Sequence, residues 1–268
     1  MTWFPIVVAA LYGALIGSFL NVVIHRYPRE ESVVFPASHC PHCDARIRAW
    51  DNVPLLSYLF LLGRCRACGA PISVRYPLVE LATALFSVAV VLRVGLSLAS
   101  VLVFLAIAGT IALIYIDAEI QILPDVIDLP GIAIGVGIGA LELGTRARGL
   151  TLATSLADSL IGAAAGGGVL LLVAMVYKLV RGIDGMGLGD VKMLAMIGSV
   201  MGWRSVLGVL LLASLSGMLV GLGILVVGRR SDLMFALPFG VFLGFAFLTL
   251  LFFTERFEAW LPALRLAF

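Results

Sequence analysis

Residues 98–117 read LASVLVFLAIAGTIALIYID: nineteen positions without a charged side chain, then an aspartate. Wound as a helix at 1.5 Å per residue, the run covers about 28 Å, close to the roughly 30 Å hydrocarbon core of a bilayer. Lipid offers the backbone no hydrogen-bond partners, so such a run takes the helical form, which satisfies its own. The stretch therefore predicts a membrane-spanning helix that carries Asp117 to one face. Comparable apolar runs lie near 3–24, 77–96, 126–143, 155–177, 190–203, 205–227 and 234–253. The reading is an all-α polytopic membrane protein of about eight transmembrane helices. The run at 190–203 is short, and seven spans is the alternative.

Composition agrees. Of 268 residues, 62% are apolar and 13% charged, with a mean hydropathy of +1.12; soluble domains hold about 45–50% and about 25%. An ordinary soluble enzyme, a disordered chain and a fibre are excluded. A net charge of +2 without a basic patch speaks against a nucleic-acid partner. Residues 1–5 lack the basic start of a cleavable signal peptide, so 1–24 reads as a retained first helix. With the N-terminus outside, 12 of the 18 Lys and Arg fall on the cytoplasmic side, as the positive-inside rule asks. Residues 25–76 form the one sizeable polar segment, and 77–268 the remaining bundle. Glycines spaced by four (Gly13 and Gly17, Gly162 and Gly166, Gly217 and Gly221, Gly240 and Gly244) predict close helix packing.

All four cysteines lie in the polar segment, as Cys40-Pro-His-Cys43 and Cys65-Arg-Ala-Cys68, with 21 residues between the pairs. Each C-x2-C turn aims two thiolates at one point, and two turns complete a tetrahedral zinc site of the closed, structural kind. So short a segment has little core of its own and needs such a staple. Two disulfides are the alternative, disfavoured in the cytoplasm. His39 and His42 read as surface residues beside a complete ligand set.

Acidic residues at membrane depth are costly and tend to be functional. Two groups stand out: Asp117 with Glu119, Asp125 and Asp128, and Gly187-Leu-Gly189-Asp190-Val-Lys192. Carboxyls from different helices that meet at one face share a proton, one activating water while the other protonates the leaving group. No H-E-x-x-H or G-x-S-x-G nucleophile competes. The glycines before Asp190 admit a substrate backbone and a sharp turn. On chemistry alone the alternative stays open that these acids cap helices or sit in solvated loops, Asp125 and Asp128 especially, since Pro124 starts a helix. The run from Asp184 to Gly189 has the look of a nucleotide loop but lacks the preceding strand.

Taken in order, these motifs resemble the bacterial prepilin peptidases of type IV pilus and type II secretion systems. The resemblance runs from Gly17-Ser-Phe-Leu-Asn21 through Arg26 and Pro28, the two C-x2-C pairs, Arg75-Tyr-Pro77 and Glu80, to Asp117, Leu123-Pro124-Asp125 and Gly187-Leu-Gly189-Asp190. It implies an inner-membrane aspartyl protease of the G-x-G-D type that removes the basic leader of a prepilin or pseudopilin on the cytoplasmic side. It further implies methylation of the new N-terminus from S-adenosylmethionine. Motif matching makes Asp117 and Asp190 the catalytic pair, with Asp125 the alternative first member and Gly187, Gly189 and Lys192 in support. The four cysteines match the family's zinc-type domain. The residues that hold the methyl donor are not assigned. A peptidase without methyl transfer, or a proton- or cation-coupled transporter, is the alternative. The acidic stretch from Asp117 to Asp128, free of Lys and Arg, is expected to attract the basic leader.

Overall fold

A computed structural model describes residues 3–147, 149–183, 185–228 and 237–260, and among them there is helix and no β-strand. Arg148, Asp184, Arg229, Arg230 and Arg265, which enter the charge count and the loop motif, and the start of the run at 234–253 lie outside the described residues. The chain forms two units, Met1–Leu96 and Ser97–Phe268.

In the first unit α1 (Trp3–Arg26) packs along α3 (Arg75–Val94), with the short α2 (Leu56–Phe60) in the intervening segment. The helices touch backbone to backbone at Gly13, where a Cβ would stand 2.6 Å from the Thr83 carbonyl oxygen. The Gly13/Gly17 pair is thus the close-packing device its spacing predicts. At the polar end, Asn21 Nδ2 donates to the Tyr76 carbonyl at 3.0 Å. The buried Arg26 guanidinium donates to the carbonyls of Ser32 and Pro36 at 2.9 and 2.8 Å, fixing the chain as it leaves α1.

The second unit holds α4 (Leu98–Ile120), α5 (Asp125–Ala140), α6 (Leu143–Arg146), α7 (Leu156–Arg181), α8 (Leu188–Met201), α9 (Trp203–Gly228) and α10 (Phe239–Trp260). Ser97 and Ser100 start α4 with a reciprocal capping box. α8 is the central element: it packs against α5, α7, α9 and α10, and its residues from Met196 to Met201 are all buried. Gly162 and Gly166 of α7 lie directly on the α8 backbone at Gly198 and Leu194. The Ser159 hydroxyl adds a buried bond to the Ser199 carbonyl at 2.8 Å.

Among the described residues five helices are long and apolar enough to cross a membrane: α1, α3, α4, α7 and α9. α5 and α8, with 16 and 14 residues, reach only about 24 and 21 Å at the helical rise. Side chains rather than lipid cover α8, so its apolar sequence reflects a protein core as much as a bilayer. α4 runs past the predicted end at 116 to Ile120, with Asp117 in its last turn.

Candidate active site and metal centre

In the first unit the two C-x2-C turns fold identically. The Cys40 N–H donates to Ala45 O and the Asp44 N–H to Cys40 O; twenty-five residues on, the Cys65 N–H donates to Ala70 O and the Gly69 N–H to Cys65 O. Each turn closes through a left-handed residue, Asp44 at φ 54° and Gly69 at φ 72°. Both are then clamped by a cross-bridge, His39 with Arg46 and Arg64 with Pro71. The four sulfurs lie within 4.8 Å of one another, with Cys40 and Cys68 Sγ 3.9 Å apart. Tetrahedral thiolates at 2.3 Å from a metal stand about 3.8 Å apart, so the set fits one ion. No disulfide joins them. Backbone N–H groups of Cys68 and Ala67 pull the Cys65 thiol down to about 6. Cys43, although the Ala45 N–H favours its thiolate, is pushed up to about 12 by the crowding thiols, so without a cation the four sulfurs do not share thiolate character equally. His39 and His42 are exposed, and His39 Nδ1 bonds Ala37 O instead.

Two contacts brace this centre. Arg66, between the second pair of cysteines, makes a forked ion pair with Asp51, closest at 2.6 Å, which holds the Asp51 carboxyl below its ordinary value. The Glu80 carboxylate of α3 accepts the Leu55 N–H at 2.7 Å. Leu55 sits at φ 62°, ψ −50° in a tight turn closed by the Leu56 N–H on Pro54 O, a conformation that costs about 1–3 kcal/mol and persists only when held.

In the second unit α4, α5, α8 and the α4–α5 turn surround a cavity of about 260 Å³, lined by Asp117, Gln121, Ile122, Leu123, Asp125, Gly187, Gly189, Asp190 and Lys192. All six acid, glycine and lysine positions singled out by motif thus face one space. Asp117 is 4% exposed, and its Oδ2 accepts the Val241 N–H at 3.0 Å. That donor belongs to the first turn of α10, whose unsatisfied N–H groups favour an anionic partner. A Cβ on Gly240 would meet Asp117 Oδ2 at 2.9 Å, so the absence of a side chain there lets α10 approach the carboxylate.

Asp190 lies half-buried in the first turn of α8, close enough for its charge to interact with that of Asp117. Gly187, the residue before α8, has φ −73°, which any residue adopts; the turn does not demand glycine. Space is the physical reason: a Cβ at Gly187 would stand 3.9 Å from the Gly189 nitrogen and 4.0 Å from Asp190 Oδ2 with nothing else that near, so a longer side chain would crowd the carboxylate. Gly189 is glycine for packing, since a Cβ there would meet Leu123 at 2.8 Å.

The four acids of the first group part company. Asp125 is exposed and paired with Lys192 Nζ at 2.6 and 2.8 Å, whereas Asp128, one turn on, is fully buried and neither of its oxygens has a hydrogen-bond partner. The expected acidic surface therefore shrinks to Glu119 and Asp125, because Asp117 and Asp128 point into the bundle. The Asp125–Lys192 pair, Asp128's burial and the α10 N–H groups went unread in the sequence. Spacing held no clue to the difference, since Asp125 and Asp128 stand one turn apart on the same face of α5.

Family models match at residues 11–94 (bacterial peptidase A24 N-terminal domain) and 102–222 (type IV leader peptidase family). The chain is 38% identical to the prepilin leader peptidase/N-methyltransferase of Aeromonas hydrophila, over 92% of this chain and 90% of the relative. It is 40% identical to that of Pseudomonas putida (90% and 88%) and 37% to that of Burkholderia pseudomallei (93% and 85%). No solved structure matches. Two family models in tandem and relatives aligned over nine-tenths of the sequence make the chain a member of the type IV leader peptidase family.

Proposed function

We propose that the chain is an inner-membrane aspartyl endopeptidase that removes the basic leader of type IV prepilins or pseudopilins at the cytoplasmic face and then N-methylates the new N-terminus. The observation that carries the reading is the single cavity lined by both Asp117 and Asp190. One carboxylate takes a proton from water as the water oxygen adds to the scissile carbonyl carbon, and the other, protonated, donates to the carbonyl oxygen. The C–N bond then breaks as the first carboxyl gives its proton to the departing amine and the second takes one back from the collapsing gem-diol. The α10 N–H on Asp117 Oδ2 orients that carboxyl and supports its charge. The relatives' names carry the second activity, with S-adenosylmethionine as donor by resemblance: its methyl passes to the freed amine, which releases a proton.

The supporting module is 25–76, with Cys40, Cys43, Cys65 and Cys68 as ligands of one structural zinc ion whose binding free energy stabilises a segment with little core. The membrane arrangement proposed is eight spans, N-terminus outside, with 1–24 as the first helix and 77–268 as the peptidase bundle. Burial of α8 among its neighbours supports counting a helix shorter than the bilayer. The acids stand at helix ends, Asp117 in the last turn of α4 and Asp125 and Asp190 in first turns. A coupled transporter would carry them near the midplane.

The test is the purified chain in detergent with a prepilin-like peptide and S-adenosylmethionine, read by mass spectrometry. Loss of the leader followed by gain of one methyl group is expected. An intact peptide would refute the peptidase reading, and a cleaved but unmethylated one the second activity.

A further inference from the structure

Asp125, Asp128 and Lys192 present one cation to two carboxyls. Asp125 and Asp128 both sit in the first turn of α5, three residues apart, so their side chains leave one helix face with about 5–6 Å between Cβ atoms. Lys192, on α8, spends its ammonium on Asp125, which is 56% exposed and lines the cavity. Asp128 is 0% exposed and has no hydrogen bond on either oxygen. A buried carboxyl without a donor is costly. Three charges act on Asp128, those of Asp125, Lys192 and Asp190, and of these groups only Lys192 has N–H donors to offer. Lys192 carries its point charge on a flexible four-carbon stem, and from its place on Asp125 that charge already acts on Asp128.

We propose that Lys192 exchanges between these carboxyls, resting on Asp125 and moving to Asp128 when a basic residue of the leader takes Asp125, so that Asp128 is a positioning residue for leader recognition. The inference rests on the peptidase reading of the cavity. Charge balance drives the exchange. A leader Lys or Arg arriving at an Asp125 still held by Lys192 would set two cations on one carboxylate while the carboxyl of Asp128, buried and without a donor, stayed protonated. Moving Lys192 to Asp128, whose proton leaves to solvent, yields two one-to-one pairs, with the leader's charge on Asp125 and the lysine's on Asp128. Asp128 thereby lowers the cost of displacing Lys192 and confers preference for a basic over a neutral leader.

The test is binding of two fluorescent prepilin-like peptides, one with a Lys/Arg leader and one with Gln in those positions, to the full-length chain in detergent, with cleavage followed separately. Asp128→Asn should weaken the basic peptide about tenfold and leave the neutral one unchanged. In the Lys192→Gln background, where Asp125 has no competitor, Asp128→Asn should have no further effect. Lys192→Gln alone, a change at a partly exposed residue, should bind the basic peptide no more weakly than the unmodified chain. Equal loss for both peptides, an Asp128→Asn effect that persists without Lys192, or weaker basic-leader binding by Lys192→Gln would overturn the exchange. Binding in the expected pattern without any cleavage would instead overturn the peptidase reading and leave the exchange standing.

Discussion

At the scale of single residues, the cavity assigns different work to chemically equal acids. If Asp117 and Asp190 act as one acid–base unit, replacing either with Asn removes a positioned proton-transfer group, worth about 10²–10⁴-fold in rate. Each variant should lose nearly all leader cleavage in membranes at matched expression, and the double variant little more, since members of one unit are not additive. Methylation of an already cleaved peptide should survive in all three. Asp125→Asn, on an exposed and ion-paired residue, should be milder; a dead Asp125→Asn beside an active Asp117→Asn would transfer the role. The two glycines separate space from packing. Gly187→Val meets no neighbour closer than 3.9 Å from its Cβ, so thermal stability should hold while cleavage falls at least about tenfold through obstruction of Asp190. Gly189→Val must displace Leu123, and a clash of this kind costs about 1–3 kcal/mol, so its melting temperature should drop. Equal melting behaviour of the two would refute the distinction.

At the scale of elements, the paired cysteine turns, the Arg66–Asp51 ion pair and the Glu80 anchor act on a segment that has almost no apolar interior: in 25–76 only Arg26, Cys40 and Ser57 are buried. A metal is therefore the expected source of order there. Elemental analysis should find one zinc per chain, and Cys65→Ser should lose it and open the remaining thiols to alkylation. A metal-free, fully active preparation would sink the zinc assignment. Glu80→Gln keeps the shape but gives up the ionised acceptor of the Leu55 N–H, a class of bond worth about 1.5–3 kcal/mol. Proteolysis of the 53–57 turn should accelerate in that variant while the zinc content stays at one; unchanged cleavage of the turn would show that Leu55 is held by something else.

At the scale of the whole molecule, recognition of a basic leader by exposed acids should weaken with salt, because such charges are screened beyond about 8 Å at physiological ionic strength. Processing of a Lys/Arg-leader peptide should slow as salt rises, and that of a Gln-leader peptide should not; equal rates at low salt would count against electrostatic capture. Reporter fusions should place the cysteine segment in the cytoplasm and the N-terminus outside. Much of the architecture was legible in the amino-acid order because its causes are local. An uncharged run the length of a bilayer has no choice but helix, and the run ending at Asp117 became α4. Two cysteines separated by two residues share a turn wherever they occur, so the four sulfurs converge. Glycines four apart mark the seams where α1 meets α3 and α7 meets α8. Bonds between distant segments left no such trace. Asp117 takes its donor from Val241, 124 residues away, and Asp125 takes Lys192 from 67 residues away. Nothing in the order of residues separates Asp125 from Asp128, both acids in the first turn of one helix. The packing of α8 against α5 makes one the exposed partner of a lysine and the other a buried carboxyl, because burial and pairing depend on which helix faces lie together, a property of the assembled bundle.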